Sequence, residues 1–349
     1  MSSLLAALGL SLPIFQAPMA GVSTPALAAA VANAGGLGAL GLGASTPAQA
    51  RAALAEAAAL TPHALNANFF VHRPPLRDEA AESAWLAALT PEFARFGAQP
   101  PARLTNLYPS FATDDAQLAV ALEARPRVVS FHFGLPDEAR IRALKAAGCL
   151  LFATATSLDE AQQAARAGID ALIAQGYEAG GHRGLFDEHA PDARLPTATL
   201  TRLLVTRTSL PVIAAGGIMD GAGIKAALAL GAVAAQLGTA FIACPESAAD
   251  AAYRAALRAQ PATVMTRAIS GRPARCLANG FTAWGQATPV PPAAYPLAYD
   301  AGKALNAAAK AKGETSYGAQ WAGQGVAMAR ALPAGALMAE LARELAGAA

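Results

Sequence analysis

The chain has 349 residues, 54% hydrophobic and 14% charged, long enough for one large α/β barrel or two ordinary domains. That balance excludes disorder and fits a parallel sheet buried on both faces. A formal charge of +2 with no run of Lys or Arg leaves nucleic-acid binding without its electrostatic source, so the expected ligand is a small molecule. Apolar stretches are broken by Gly, Pro or charge well before the roughly 20 residues that span a bilayer, and Met1-Ser2-Ser3-Leu4 lacks a basic leader segment, so no membrane association and a cytoplasmic location are expected.

Eight short apolar runs punctuate the chain, at 13–18, 37–42, 64–70, 127–133, 150–156, 171–175, 211–216 and 234–241. Ala-rich stretches of helical character fall between most of them, at 24–33, 46–60, 137–147, 157–167, 197–207 and 220–230. Strand alternating with helix predicts a parallel α/β fold. Several helices close on glycine before the next strand, at Gly35, Gly148, Gly168 and Gly231, the residue that suits a left-handed helix end. This unit closes most economically into a (β/α)8 TIM barrel, with an open doubly wound sheet as the alternative.

In a barrel, the C-terminal ends of the strands line the site. Here they read Met19-Ala20-Gly21, Asn68, His132, the loop from Gln175 to Gly184, Gly216-Gly217 and Gln236-Leu237-Gly238-Thr239. The loop after the sixth run carries Gly176, Gly180, Gly181 and Gly184 around a single histidine, His182. Glycines there let backbone approach a ligand, and histidine is the usual acid or base near neutral pH. Gly216-Gly217 and Gly238-Thr239 end the seventh and eighth runs, where barrels often bind phosphate through bare N–H groups, favouring a phosphorylated cofactor.

Gly36-Leu37-Gly38-Ala39-Leu40-Gly41 matches a dinucleotide-binding spacing, with Glu56 twenty residues beyond its first glycine. The context is wrong, because these glycines follow a helix and run into a strand. Cys149, Cys244 and Cys276 are too widely spaced for a disulfide framework or a zinc site, and the five histidines contain no H-E-x-x-H, so no metal is expected.

Residues 73–107 form a long excursion after the third run, with a helix expected around 78–89 and Tyr108 at its end. After Phe241 the alternation stops. Residues 262–300 hold Arg267, Ser270-Gly271-Arg272-Pro273, Asn279-Gly280 and a proline cluster, which predict an irregular cap over the mouth before a C-terminal helix at about 334–346. The expected division is 1–240 with 310–349 for the barrel and 241–309 for a cap inserted after strand eight. Pro296 suits a first helical position, so Tyr295, Tyr299 and Lys303 fall on roughly one helix face. Two phenols and an ammonium there can hold an anion, although an amphipathic surface helix has the same pattern.

Together, P-I-F-Q-A-P-M-A-G at 13–21, V-S-F-H-F-G at 129–134, the Gln175 to Gly184 block, A-A-G-G-I-M-D-G at 214–221 and Q-L-G-T-A-F at 236–241 resemble the nitronate monooxygenases, once called 2-nitropropane dioxygenases, of class I. The resemblance implies an FMN-dependent barrel without metal that oxidises alkyl nitronates, including propionate 3-nitronate, with O2 to a carbonyl compound and nitrite. Carried over by motif, FMN would contact Met19, Ala20, Gly21, Asn68, Gln175, Gly180, Gly181, Gly216, Gly217, Gln236, Leu237, Gly238 and Thr239. His182 matches the catalytic histidine, while Tyr108, His132, Tyr295, Tyr299 and Lys303 match the substrate pocket. Because a nitronate is already deprotonated, His182 is expected first to hydrogen-bond and stabilise charge, and second to act as a base on neutral nitroalkanes. The same barrel with FMN also serves NAD(P)H-dependent quinone or enoyl reductases, which is the alternative activity.

Overall fold

The computed structural model describes residues 2–259 and 262–347. Its parallel strands are β1 (Ile14–Gln16), β2 (Gly38–Gly41), β3 (Leu65–Phe70), β4 (Val128–His132), β5 (Leu150–Ala155) and β6 (Ala171–Gln175). After the two-residue strand β7 (Gly181–His182) come β8 (Val212–Ala215) and β9 (Ala234–Leu237). The large sheet runs in the order β1-β9-β8-β6-β5-β4-β3-β2, and Phe15 pairs with Leu37 to close the ring. Across that seam Gln16 N–H donates to Leu37 O at 2.9 Å and Leu37 N–H to Ile14 O at 3.1 Å. The fold is therefore the (β/α)8 TIM barrel that the alternation of strand and helix predicts, and not an open sheet.

The helix Ser3–Leu8 was not anticipated. It is capped by Ser2, whose Oγ accepts from Leu5 N–H, and ends on left-handed Gly9. Leu4, Leu5 and Leu8 pack beneath the barrel on Phe15, Phe152, Ile173 and Ile213, plugging the end opposite the predicted site. All four predicted helix-closing glycines, Gly35, Gly148, Gly168 and Gly231, have positive φ. The Gly36 to Gly41 motif lies along β2, where a Cβ at Gly38 would stand 1.9 Å from Ala28 O. Gly38 serves close packing of helix on strand, and Gly41 lets β2 approach the Met19-Ala20 backbone.

The eighth predicted run ends earlier than expected: β9 stops at Leu237 and Thr239–Ile242 turns into a short helix. Ala240, Phe241 and Ile242 are buried in either state, and a short apolar run cannot distinguish them by periodicity. Above the mouth lies a three-stranded antiparallel sheet of order β10-β11-β7, with β10 at Thr263–Thr266 and β11 at Ala274–Leu277. The helix expected at 78–89 spans Glu79–Arg95. Its Trp85, Leu89 and Phe93 share a second core with Phe281, Leu297, Ala301 and Leu305, so the excursion after β3 packs with the segment beyond the barrel. Among the described residues no helix is long and apolar enough to cross a membrane.

Candidate active site

A cavity of about 480 Å³ opens at the C-terminal ends of the barrel strands. It is lined by Met19, Ala20, Gly21, Asn68, Gln175, Gly180, Gly181, Gly216, Gly217, Gln236, Gly238 and Thr239, and also by Tyr108, His132, His182, Tyr295, Tyr299 and Lys303. Leu237 is the one expected site residue that does not line it. Successive side chains on a strand point to opposite faces, so with Gln236 turned to the mouth, Leu237 packs outward into the apolar shell with Phe241 and Leu337.

The floor is mostly backbone. Gln16 sets the loop after β1: its Nε2 donates to Ser23 Oγ at 2.8 Å, its Oε1 accepts from Ala39 N–H at 2.8 Å, and Ser23 Oγ accepts from Met19 N–H at 2.9 Å. Asn68 Nδ2 donates to Ser130 Oγ at 2.9 Å, which leaves its Oδ1 for the cavity. Gly216 and Gly217 have φ of +128° and +69°, a conformation that side-chain-bearing residues rarely adopt. The helical turn at Thr239 starts without a side-chain cap, so its leading N–H groups have no side-chain partner.

A strap from the C-terminal segment lies on this floor. Gly323 N–H donates to Thr239 Oγ1 at 2.9 Å and Gln324 N–H to Glu178 O at 2.9 Å. A Cβ at Gly180 would stand 2.5 Å from Gly323 N, so the loop and the strap can meet only as bare backbone. No motif in the sequence marks Trp321, Gly323 or Gly325, yet all three line the cavity. Tyr253 was missed as well; it lines the cavity and its hydroxyl donates to Trp321 O.

His182 is placed by its own main chain. Gly181 and His182 pair with Arg275 and Ala274 as the edge of the small sheet. The His182 carbonyl accepts from Gln175 Nε2 at 3.0 Å and lies 3.1 Å from His132 Nε2. A carbonyl can only accept, so His132 carries its proton on Nε2, and its Nδ1 accepts from Thr154 Oγ1 at 3.0 Å. Gln175 Oε1 accepts from Gly184 N–H at 2.8 Å. Both ends of Gln175 and Nε2 of His132 thus hold the loop around His182, while Thr154 on β5 fixes the His132 ring at Nδ1, and both residues meet the cavity as part of its frame. Arg183, fully buried, makes a two-pronged pair with Asp192 at 2.9 and 3.0 Å and closes the loop from behind.

The His182 ring faces Trp321 at 5.0 Å, Tyr295 at 5.5 Å and Phe133 at 5.6 Å between centroids, and its Nε2 lies 2.9 Å from Ser270 Oγ. Burial, then the neighbouring His132, Arg272 and His72, push its pKa down to about 3. Burial likewise takes His132 to about 4 despite the His182 carbonyl, and His72 to about 4 with Arg272 adding to the effect. Near neutral pH these imidazoles are uncharged.

Tyr295 precedes the helix Leu297–Ala311 instead of opening it, while Tyr299 and Lys303 lie within it. The three still meet at the mouth with Tyr108 from the excursion. Lys303 Nζ stands 4.8 Å from the Tyr108 ring centre and 5.4 Å from that of Tyr299, and the two rings meet edge to face at 5.7 Å. Burial raises the phenols of Tyr108 and Tyr295 and takes Tyr299 up to about 12, so all three present O–H donors. Desolvation lowers the Lys303 pKa while Asp300 opposes it; the side chain is exposed, with its ammonium directed along two aromatic faces. Among the described residues no three His, Cys, Asp or Glu side chains cluster to hold a metal ion.

The sequence pattern of the nitronate monooxygenase family matches residues 2–344. A nitronate monooxygenase of Paraburkholderia phytofirmans is 61% identical over 346 residues, covering 98% of this chain and 94% of the relative. One from Pseudomonas aeruginosa is 54% identical over 343 residues, covering 97% and 98%. The crystal structure of a nitroalkane oxidase from Streptomyces ansochromogenes superposes with a TM-score of 0.90 at 42% identity, covering 99% of both chains.

Proposed function

The chain belongs to the nitronate monooxygenase family, a family of flavin-dependent oxidoreductases, and we propose that it uses FMN to oxidise alkyl nitronates, carboxylated ones such as propionate 3-nitronate included, with O2 to a carbonyl compound and nitrite. The single observation that carries this reading is the pairing of a backbone-lined floor with a roof of O–H and ammonium donors over one cavity. The floor fits a flavin phosphate. Gly216 and Gly217 hold conformations that side-chain-bearing residues rarely adopt, the turn at Thr239 lacks a side-chain cap, and Gly238 borders the cavity with only van der Waals room for a Cβ beside Ala17 and Met19. Asn68 and Gln236 border the remaining floor.

FMN, when bound, supplies the electron transfer that links a carbon acid to O2. The protein's own contribution is to bind and orient. Tyr108, Tyr299 and Lys303 offer donors to the anionic nitro group or to a substrate carboxylate, in surroundings where a preorganised donor is worth more than in water. Trp321 and Tyr295 wall the ring of His182 and keep bulk water from it. Toward a neutral nitroalkane, His182, uncharged near neutral pH, is the group placed to take the proton from the reacting carbon. Residues 241–309 act with the 73–107 excursion as the cap, the first supplying Tyr295, Tyr299 and Lys303 and the second ending on Tyr108.

Anaerobic mixing of the purified protein with a nitronate, followed by the flavin spectrum, tests the proposal. Loss of the oxidised flavin absorbance with nitronate but not with NADH is the expected result. Bleaching by NADH alone would replace the reading with a reductase.

A further inference from the structure

The turn Ser270-Gly271-Arg272-Pro273 touches the site without lining it. Ser270 is 1% exposed; its Oγ lies 2.9 Å from His182 Nε2 and 3.2 Å from the carbonyl of Arg272. The turn is rigidly seated. Gly271 has φ +91°, and a Cβ there would stand 2.5 Å from Ala293 O. Arg272 Nη2 donates to Leu185 O, and Pro273 O accepts from Arg183 N–H at 2.8 Å.

Ser270 has one hydroxyl proton and two acceptors competing for it. If the proton went to His182, the buried Arg272 carbonyl would lose the one hydrogen-bond partner it has among the described residues, and an unmade buried bond is costly. If it goes to Arg272 O, then Oγ accepts from His182 Nε2–H and all three groups are satisfied. We propose that Ser270 is a positioning residue that holds His182 as the Nε2–H tautomer, so that Nδ1 meets the cavity as a hydrogen-bond acceptor and base.

Two further observations agree. His182 Nδ1 has no protein partner among the described residues although the residue lines the cavity. The Arg272 guanidinium lies 4.2 Å from the Phe133 ring centre and, after burial and His132, disfavours a charged imidazole. In this tautomer His182 does not donate to a nitronate; the tyrosines and Lys303 do. Toward a neutral nitroalkane the lone pair on Nδ1 takes the α-proton: the C–H bond breaks, an N–H bond forms, and the electron pair moves into the nitro group to give the nitronate. This consequence rests on the proposed substrate class, whereas the tautomer does not.

Nitrogen NMR of the holoenzyme with labelled histidine reads the tautomer directly, with the His182 signals identified by their loss in His182→Asn. The expected spectrum shows a protonated Nε2 and an unprotonated Nδ1 in the native protein, and a mixture in Ser270→Ala. A native spectrum with the proton on Nδ1, or a Ser270→Ala spectrum unchanged from it, overturns the proposal. In turnover, Ser270→Ala should lower kcat/KM for a neutral nitroalkane by about tenfold and for the preformed nitronate by less than about twofold, with Ser270→Thr restoring the first. Equal losses on both substrates would make Ser270 merely structural. Should the native enzyme turn over no nitro compound, the substrate reading fails while the spectra still decide the tautomer.

Discussion

The floor and the roof of the cavity recognise in opposite ways. The floor comes from the ends of neighbouring barrel strands, and its contribution is the absence of side chains at Gly180, Gly216, Gly217 and Gly238. The roof is made of side chains from distant stretches, with Tyr108, Tyr295, Tyr299, Lys303 and Trp321 meeting over the cavity beside a core of their own and a three-stranded sheet. A ligand held by backbone tolerates no added atoms, whereas one held by side chains loses affinity piece by piece. Damage to the floor should therefore be all or none, and damage to the roof graded and substrate-dependent.

The largest effect is expected from Gly216→Val. At φ +128° any Cβ is strained, and here it would also stand 2.7 Å from Thr197 Oγ1, forcing apart the β8 end and the loop after β6. Flavin retention should be abolished while circular dichroism still reports a folded barrel. Gly238→Val should do the same for a different reason, since its Cβ has ordinary room beside Ala17 and Met19 but extends into the cavity. Full flavin occupancy in either variant would mean that the phosphate is held elsewhere. Next in size is His182→Asn, where turnover of a neutral nitroalkane should fall by on the order of 10²-fold with flavin content unchanged. Near-normal turnover would remove the imidazole from the chemistry.

The same contrast explains what could be read from the sequence. Parallel strands buried on both faces announce themselves as apolar runs, and glycines at their ends mark the floor, so barrel and floor were legible together. Leu237 stands off the cavity because strand alternation separates it from Gln236. The roof was legible where spacing repeats, as in Tyr295, Tyr299 and Lys303. Ser270 and Trp321 carry no local pattern. Their positions depend on β7 pairing with β11, and a two-residue strand beginning on glycine gives no signal until its partner is known. Residues 321–325 matter because their backbone lies on Gly180 and Thr239, a long-range contact that composition does not encode.

Lys303→Met tests the graded roof. Its ammonium lies over Tyr108 and Tyr299 and can pair with a substrate carboxylate, a contact that a simple alkyl nitronate lacks. Because the side chain is exposed, water screens the pair, and the low end of the range for charge-assisted bonds applies, about 1.5 kcal/mol. The expected outcome is about a tenfold loss in kcat/KM for propionate 3-nitronate and little change for an alkyl nitronate. Equal losses would place Lys303 on the nitro group shared by both.

The smallest effect concerns the wall behind the roof. His72 is 1% exposed, packs edge to face on Tyr295 at 5.0 Å, and neither ring nitrogen has a hydrogen-bond partner among the described residues. Burial and then Arg272 hold its pKa at about 4 in the folded protein, against about 6.5 in an unfolded chain. Between those values the unfolded state binds a proton that the folded state refuses. The stability contributed by keeping His72 neutral is therefore fully present above about pH 6.5 and is lost as pH falls toward 4. His132 and His182 have the same sign, so the native protein should lose stability steeply on acidification. Replacing His72 with Leu removes one of these protons and should make the acid decline shallower by about 1.4 kcal/mol per pH unit. Urea unfolding midpoints measured across pH 6.5 to 4 in both proteins provide the comparison, which is independent of flavin chemistry if run on matched apoproteins. An unchanged slope in His72→Leu would show that His72 is already protonated in the folded protein, placing a second positive charge behind Tyr295 in addition to Arg272.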